Sequence, residues 1–358
     1  MSLLEETLRN IEPLNKERSL AARKEWDGIA HPTGSLGELE ELTIKVAAIQ
    51  DTNIPDVSKR VHIVMASDNG IIEENVSSGY SDLTSQLVYS MAVGGTAAAN
   101  MCKETNTKLV VVDLGTRRKV EHENVTHRRI NPETKNFAKE PAMTISEAIK
   151  AIETGIEITD ELVKEGYKIF GTGELGIANT TTSAAVLTGL TGKSAEETCG
   201  LGAGITDEGL RNKIRVVDYA MKEYDLENKT PLEILSYVGG YDICGLVGIY
   251  LSCAKNKTAA VIDGFISGVA ALCAVKMNPA VKDYLLPSHR SRENQIKIVF
   301  DELEMNPPLD LKMRLGEGTG CMLLFKVLDT GVYLLKNMAR YQEINILENV
   351  LVDIREKC

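Results

Sequence analysis

Short runs of β-branched residues alternate with longer helical patterns along the chain, and this alternation limits the fold more than any other feature. The runs that predict strands lie at residues 61–66, 108–114, 168–170 and 258–263, and a further strand-like segment lies at 311–315. The helical patterns lie at residues 82–102, 146–164, 206–222, 231–238 and 264–276. Near-continuous Val and Ile runs are typical of strands that are buried on both faces, as in a parallel sheet. The sequence therefore predicts an α/β fold with a doubly wound, mainly parallel sheet flanked by helices, in which ligands bind beyond the carboxyl ends of the strands.

The two ends of the chain differ from this pattern. Residues 1–30 are charged and amphipathic, and residues 331–358 are helical without a strand signal. We therefore predict a small helical subdomain built from the N- and C-terminal segments, residues 1–30 plus 331–358. Residues 31–330 would form the large α/β catalytic domain.

Composition and charge exclude several classes of protein. With 358 residues, of which 43% are hydrophobic, the chain can bury a large core. Its formal net charge of −11 argues against a nucleic-acid partner, because binding to a phosphate backbone requires clustered positive charge. No uncharged apolar run reaches about 18 residues, so no membrane-spanning segment is predicted.

The cysteines and histidines indicate neither a disulfide framework nor a metal site. The seven cysteines are scattered without a C-x-x-C pair, and their odd number fits a reducing cytosol. The five histidines lack the H-x-x-x-H spacing of zinc ligands. The N-terminus is acidic and amphipathic, unlike a signal peptide. We therefore expect a cytoplasmic protein that uses no metal and no other cofactor.

A glycine-rich loop at residues 314–320 contains a single carboxylate, Glu317. Glycines let the backbone turn sharply and approach a ligand closely, so a carboxylate between them suits general base catalysis or charge stabilisation. A solvated turn glutamate is the alternative interpretation. Two similar loops, at residues 171–179 and 200–204, lead into helix-like stretches. Because a helix N-terminus behind glycines readily binds an anion, the three loops together predict one pocket that holds a phosphate and carries out chemistry beside it.

Residues outside these loops could complete such a pocket. Lys213 lies near the 200–204 loop, where its amine could meet a phosphate, although an exposed helix lysine is the simpler interpretation. The segment 288–292 follows a probable strand and offers hydroxyl and guanidinium groups to an anion. Ser78 and Gln86 flank the turn after the first strand and would otherwise be surface polar residues.

One loop also matches the dinucleotide-binding pattern G-x-G-x-x-G, at Gly171, Gly173 and Gly176. That pattern requires an acidic residue about 20 residues later, at the end of a second strand. Glu196 and Glu197 stand near this distance, but their surroundings are those of a helix start. An NAD-dependent oxidoreductase therefore stays an alternative function.

Seven segments spread over about 290 residues form an ordered set of motifs. They lie at residues 31–40, 136–143, 173–181, 238–242, 263–265, 287–289 and 314–320. Together they resemble the nicotinate-nucleotide:dimethylbenzimidazole phosphoribosyltransferase family, which activates the lower ligand of cobamides. The resemblance implies transfer of 5-phosphoribosyl from nicotinate mononucleotide to 5,6-dimethylbenzimidazole or a related aromatic base. The products would be α-ribazole 5′-phosphate and nicotinate.

The resemblance also implies roles for individual residues. Glu317 would be the catalytic base, and Glu174 would be the second active-site carboxylate. Phosphate and ribose would be bound by residues of the glycine loops and their neighbours: Gly176, Asn179, Thr180, Gly202, Gly204, Lys213, Ser291 and Arg314. The aromatic base would be bound by Ser78, Tyr80, Gln86 and Leu315. A homodimer is also implied, and because the terminal helices carry apolar faces that a small subdomain would bury poorly, we expect Trp26 and the 34–37 turn to lie close to the partner chain.

The sequence departs from the family pattern at two places. Asn69 stands where family members often have histidine, and Gly79 and Tyr80 follow Ser78 where they often have an aromatic residue and proline. The second loop contributes to the aromatic-base pocket of the family, so the preferred base stays open. A degenerate member that binds cobamide precursors without catalysis is a second alternative, but a pure binder would not need both Glu174 and Glu317.

Overall fold

A single parallel sheet forms the centre of the computed structural model, which describes residues 1–80, 82–344, 353 and 355. The strands in this part of the chain are β1 (Arg60–Ser67), β2 (Lys108–Gly115), β3 (Val125–His127), β4 (Ile169–Leu175), β5 (Ala259–Ile262) and β6 (Leu285–Pro287). They pair in parallel in the order β3-β2-β1-β4-β5-β6. The predicted doubly wound α/β fold is therefore confirmed.

Helices cover both faces of this sheet and link its strands. The described α-helices are α1 (Leu3–Arg9), α2 (Lys16–Asp27), α3 (Glu38–Ile49), α4 (Leu83–Ala92), α5 (Ala97–Glu104), α6 (Ile145–Lys164), α7 (Asn179–Thr191), α8 (Ala195–Thr198), α9 (Asp207–Glu223), α10 (Pro231–Val238), α11 (Tyr241–Lys255), α12 (Phe265–Met277), α13 (Ile296–Leu303), α14 (Thr319–Asn337) and α15 (Tyr341–Ile344). Short 3-10 segments lie at Gly70–Glu74, Leu226–Asn228 and Pro279–Tyr284. None of the described helices has the length and apolar character needed to cross a membrane.

The two central strands are buried, but only β1 lies close to its predicted bounds. Every residue of β1 and of β4 is buried, and β1 contains the apolar run predicted at 61–66. β4 continues through residues 171–175, which were expected to be a loop, beyond the strand predicted at 168–170. The strand order runs outward in both directions from this pair. The crevice beyond the carboxyl ends of β1 and β4 is therefore the topological switch point, the usual ligand position in such sheets. Glu174 lies at this end of β4.

Two further sequence predictions of secondary structure were wrong in detail. The single helix expected at 82–102 is divided into α4 and α5, because Gly94 takes a left-handed φ of 85° between them. The strand expected at 311–315 is irregular coil. Lys312 there has a φ of 57°, and Leu311 and Leu315 are more than half exposed, so this apolar segment joins no sheet. It borders the candidate site instead.

The N- and C-terminal segments pack against each other within the described residues. A small apolar cluster, separate from the main core, joins Trp26 and Ile29 to Leu335 of α14. The indole Nε1 of Trp26 donates a 2.8 Å hydrogen bond to Thr43 Oγ1. Helix α1 packs through Leu4 against the main core. The boundaries of the helical subdomain stay a prediction, and its residues 345–352, 354 and 356–358 lie outside the described part of the chain.

Candidate active site

A cavity of about 300 Å³ opens at the carboxyl-terminal end of the sheet. Loops that follow β4, β5 and β6 form much of its wall, together with the loop before α14. The wall includes nine residues named from the sequence: Glu174, Gly176, Asn179, Thr180, Gly202, Ser291, Arg314, Leu315 and Glu317. The structure thus brings parts of all three glycine loops to one cavity, while the contacts of each residue with a substrate stay a prediction.

The other residues named from the sequence do not line this cavity. Lys213 is buried behind the wall, and a Cβ atom added to Gly204 would meet open space. Ser78, Tyr80 and Gln86 are exposed, and the Tyr80 hydroxyl donates a 2.5 Å hydrogen bond to Gln86 Oε1. Leu83 and Leu87 of α4, the helix that carries Gln86, do line the cavity, and the role of these three residues in binding the aromatic base stays a prediction.

Glu317 lies in a loop whose backbone is fixed by successive left-handed residues. Gly316, Glu317 and Gly318 have φ values of 86°, 59° and 79°. This conformation aims the Glu317 side chain at the first turn of α5, where Oε2 accepts a 3.1 Å hydrogen bond from the Ala98 N–H. This hydrogen bond and the loop backbone together fix the position of the Glu317 carboxylate at the cavity wall.

His62 holds the same loop through a side-chain hydrogen bond, although nothing in the sequence indicated this role. Its Nε2 lies 2.7 Å from the backbone oxygen of Glu317, so the neutral ring with hydrogen on Nε2 donates to that oxygen. Burial lowers the pKa of His62 to about 4, which keeps the ring neutral. A side chain at Gly173 or Gly318 would collide with the imidazole, since added Cβ atoms would lie 2.8 Å and 2.0 Å from it. These glycines are therefore needed to let His62 reach the Glu317 loop.

Replacing His62 by phenylalanine is expected to lower kcat by at least tenfold, because the Glu317 loop loses its fixed hydrogen bond. Leaving a buried carbonyl without its donor should also lower the free energy of unfolding by about 1–3 kcal/mol. His62→Gln keeps an Nε2 donor at a similar reach and should recover part of kcat. Steady-state kinetics and urea unfolding of both variants measure these effects. Equal kcat in the phenylalanine and glutamine variants would contradict the positioning role.

Glu174 shares a buried carboxylate cluster with Asp242. The Asn179 side-chain amide donates to Glu174 Oε2 at 2.5 Å and to Asp242 Oδ2 at 2.9 Å, so it bridges the two acids. Burial raises the pKa of Glu174 to about 8; the hydrogen bond from Asn179 opposes the rise, and nearby Asp242, Asp263 and Glu317 add to it. Burial likewise raises the pKa of Asp242. The cluster therefore consists of acidic side chains and the neutral amide of Asn179, with no cationic group among them.

Asp263 adds a further acidic group where β5 ends. Its Oδ1 accepts a 2.7 Å hydrogen bond from the Gly320 N–H at the start of α14, and burial raises its pKa. His289 Nδ1 lies 3.8 Å from the same oxygen, but burial lowers the pKa of that histidine. Arg314 is the one cationic side chain in the described wall of the cavity. The acidic cavity is therefore suited to a ligand that carries a localised positive charge.

Apolar side chains form another part of the wall. They are Leu83, Leu87, Ile177, Phe265 and Ile266, and Leu315 joins them. A flat aromatic ring could be buried against such a surface. Apart from Leu315, the sequence did not single these residues out, because apolar side chains usually belong to the core. Asp263 is easier to pick out from the sequence, since it ends the strand predicted at 258–263.

The opposite kind of surface, rich in donors, surrounds the start of α7. This helix begins at Asn179, after Ala178 with a left-handed φ of 71°. Thr180 lies in its first turn, and the Lys213 amine donates a 2.9 Å hydrogen bond to Thr180 Oγ1 and a 3.1 Å bond to the Gly200 oxygen. A helix N-terminus and a lysine that meet at a glycine loop are the features of a phosphate site.

Comparison with known proteins agrees with this geometry. A family model described as "Phosphoribosyltransferase" matches residues 11–346. A protein of Clostridium tetani named nicotinate-nucleotide–dimethylbenzimidazole phosphoribosyltransferase is 44% identical over 358 residues, which cover 100% of this chain and 99% of that protein. A protein of Acetivibrio thermocellus with the same name is 42% identical over 341 residues, or 95% of this chain and 97% of that protein. The crystal structure of CobT from Thermus thermophilus is 34% identical with a TM-score of 0.88, covering 92% of this chain and 99% of that one.

Proposed function

The chain belongs to the phosphoribosyltransferase family of these relatives, and from this premise we propose that it transfers 5-phosphoribosyl from nicotinate mononucleotide to 5,6-dimethylbenzimidazole or a related aromatic base. The products are α-ribazole 5′-phosphate and nicotinate, and the reaction activates the lower ligand for cobamide synthesis. The observation that carries the proposal is one cavity lined by Glu317, Glu174 and the start of α7. This cavity offers a base, negative charge and a phosphate site together.

The chemistry requires only one proton transfer from the incoming base. One ring nitrogen of the benzimidazole attacks C1′ with its lone pair, and the C1′–N bond to the pyridinium breaks, with its electron pair returning to the ring nitrogen of the departing nicotinate. The other ring nitrogen gives its proton to the Glu317 carboxylate, which contributes as a general base. The leaving group needs no acid, because it departs as a neutral ring. Attack opposite the leaving group inverts C1′ and yields the α-riboside.

The remaining residues of the site bind and orient the substrate. An ionised Glu174 would offset positive charge on the pyridinium and on C1′ as the bond breaks. Thr180, Gly202 and Lys213 would anchor the 5′-phosphate, away from the reacting atoms. Binding energy from such a remote group holds the sugar in line with the incoming base.

Product analysis tests the proposed reaction directly. Incubation with nicotinate mononucleotide and 5,6-dimethylbenzimidazole should release nicotinate and α-ribazole 5′-phosphate in equal amounts, measured by liquid chromatography and mass spectrometry. Micromolar affinity for NAD without nicotinate release would favour the oxidoreductase alternative. Binding of the same substrates without turnover would favour the non-catalytic alternative. A mixture of benzimidazoles, purines and phenols would then identify the preferred base.

We also propose that the protein acts as a homodimer in the cytoplasm. The cavity faces outward at the strand ends, and displacement of a pyridinium requires water to be excluded, so a second chain could close the site. Trp26 is buried within its own chain, whereas Ser35 and Gly37 of the 34–37 turn are exposed and available to a partner. Free, buried cysteines among the described residues agree with a reducing compartment.

Sedimentation equilibrium at micromolar protein concentration is expected to give the mass of a dimer. Exchange of Ser35 for arginine in the exposed turn should weaken association and raise KM, because a bulky charge would face the partner. The same exchange at Ser58, exposed in another loop, provides a matched control. A stable and fully active monomer would show that each chain closes its own site.

A further inference from the structure

Lys213 is a buried cation with an unusual set of partners. Only 1% of its surface is exposed, and its described hydrogen-bond partners are two neutral oxygens, Thr180 Oγ1 and the Gly200 carbonyl. No carboxylate of the described residues forms a salt bridge with it. An ammonium has three N–H donors, and removal of its charge from water is costly unless a counter-charge lies nearby. The third donor has no hydrogen-bond partner among the described residues, and Thr180, which Lys213 contacts, lies at the edge of the cavity.

Glu293 places a carboxylate at the same edge. It is half-buried and lines the cavity with Thr180, Gly202 and Arg314. Its Oε2 packs on the glycine loop so closely that a Cβ atom added to Gly200 would lie 2.7 Å from it. Its backbone N–H donates a 3.3 Å hydrogen bond to Ser291 Oγ, which ties the residue to the loop after β6. This carboxylate thus lies against the loop that is proposed to hold the phosphate.

The groups around Glu293 are those that would also attract a phosphate. Burial raises the pKa of Glu293, while Lys213, the Gly202 N–H and Arg314 act in the opposite direction. These two cations and one amide donor therefore stabilise the carboxylate anion in the free protein. A phosphate dianion that approached the same donors would meet the negative charge of Glu293 in a poorly hydrated space, where like charges repel strongly.

We propose that Glu293 is an internal competitor for the 5′-phosphate, so that an anion binds to the glycine loops only after the Glu293 carboxylate turns away from them. The proposal rests on the proposed function for the identity of that anion. It assigns Glu293 a role in setting affinity, and no role in the chemical step. Because substrate and product both carry the 5′-phosphate, Glu293 would weaken the binding of both and so favour product release.

Exchange of Glu293 for glutamine tests the competition. Glu293→Gln removes the charge and keeps the size of the side chain, so inorganic phosphate should bind about tenfold more tightly, with a similar fall in the KM for nicotinate mononucleotide. Isothermal titration of the full-length protein at pH 8 measures the first effect, and initial rates measure the second. Glu196→Gln is the matched control, because Glu196 is exposed, lies in α8 near the same loop and does not line the cavity.

Unchanged or weaker phosphate binding in Glu293→Gln would overturn the proposal, provided that the glutamine variant unfolds at the same temperature as the wild type. If the glutamine variant is unstable, phosphate binding can be compared between the wild type and Glu293→Ala, which lacks a polar group at this position. Failure of the proposed reaction is a separate result, because it would appear in the wild-type protein as an absence of nicotinate release. Tighter phosphate binding together with a lower KM supports the competitor role.

Discussion

Exchange of Glu317 for glutamine is expected to lower kcat by about 10²–10⁴-fold, the usual contribution of a general base. Glutamine has the same size, and its side-chain oxygen can still accept the hydrogen bond from the Ala98 N–H that Glu317 Oε2 accepts at 3.1 Å. The loop geometry should therefore survive, since it depends on the Glu317 backbone oxygen and on the flanking glycines. What the variant loses is the ability to take a proton from the incoming base.

The measurement is the rate of nicotinate release at saturating concentrations of both substrates. Glu157→Gln is a matched control, because Glu157 is an exposed glutamate on α6 whose exchange changes the net charge equally. Bound substrate should be retained in Glu317→Gln, so the KM for nicotinate mononucleotide should change little. If the variant kept more than about a tenth of the wild-type kcat, a base of ordinary effectiveness at this position would be excluded.

The central sheet could be predicted from the sequence because its signal is local. β1 is buried on both faces, so its apolar run stands out without knowledge of its neighbours. β4 was predicted only at 168–170, because the glycines, threonine and glutamate of residues 171–175 interrupt its apolar run. The edge strand β3 has only three residues, too few for a periodic pattern to appear. The segment 311–315 misled the prediction, because its two leucines are exposed and one of them, Leu315, borders the cavity.

The candidate site divides in the same way between local and distant features. Glu317 and Glu174 could be named because glycines stand beside them in the chain. His62 contacts the Glu317 backbone across 255 residues of sequence, and Asn179 bridges Glu174 to Asp242, 63 residues further along. Such contacts exist only after the strands have paired. The signs of the pKa shifts depend on burial and on neighbouring charges, so they too emerge only from the folded chain.

Exchange of Glu174 is expected to have the second large effect on activity. The Glu174 carboxyl must lose its proton before it can stabilise a cation. Burial raises its pKa to about 8, with Asp242, Asp263 and Glu317 adding to the rise and Asn179 opposing it. At pH 7 the free protein should therefore hold this carboxyl mostly in its neutral form. Nicotinate mononucleotide brings a pyridinium into the cavity, and a nearby positive charge favours the ionised carboxylate. Binding at pH 7 should thus release a proton.

Isothermal titration in two buffers with different ionisation enthalpies measures that proton. The wild-type protein should release close to one proton per bound nucleotide at pH 7, and Glu174→Gln should release clearly less. The loss of the ionised group should also lower kcat/KM by about 10²-fold, in the range seen when one electrostatic contact to a transition state is removed. Equal proton release in both proteins would show that the released proton comes from Asp242 or Asp263 instead of Glu174.

The same raised pKa predicts how stability depends on pH. The folded protein binds the Glu174 proton more tightly than the unfolded chain does, so this contribution to stability is complete below about pH 4.5 and is lost as the pH rises through about 8. Glu174→Gln carries no such proton, and its free energy of unfolding should exceed that of the wild type by about 1 kcal/mol or more at pH 8.5. The difference should shrink towards pH 5. Urea unfolding at both values measures it, and a variant that is less stable at pH 8.5 would contradict the buried neutral carboxyl. A site that gains stability on losing Glu174 while losing activity would show that this carboxylate is kept for the reaction.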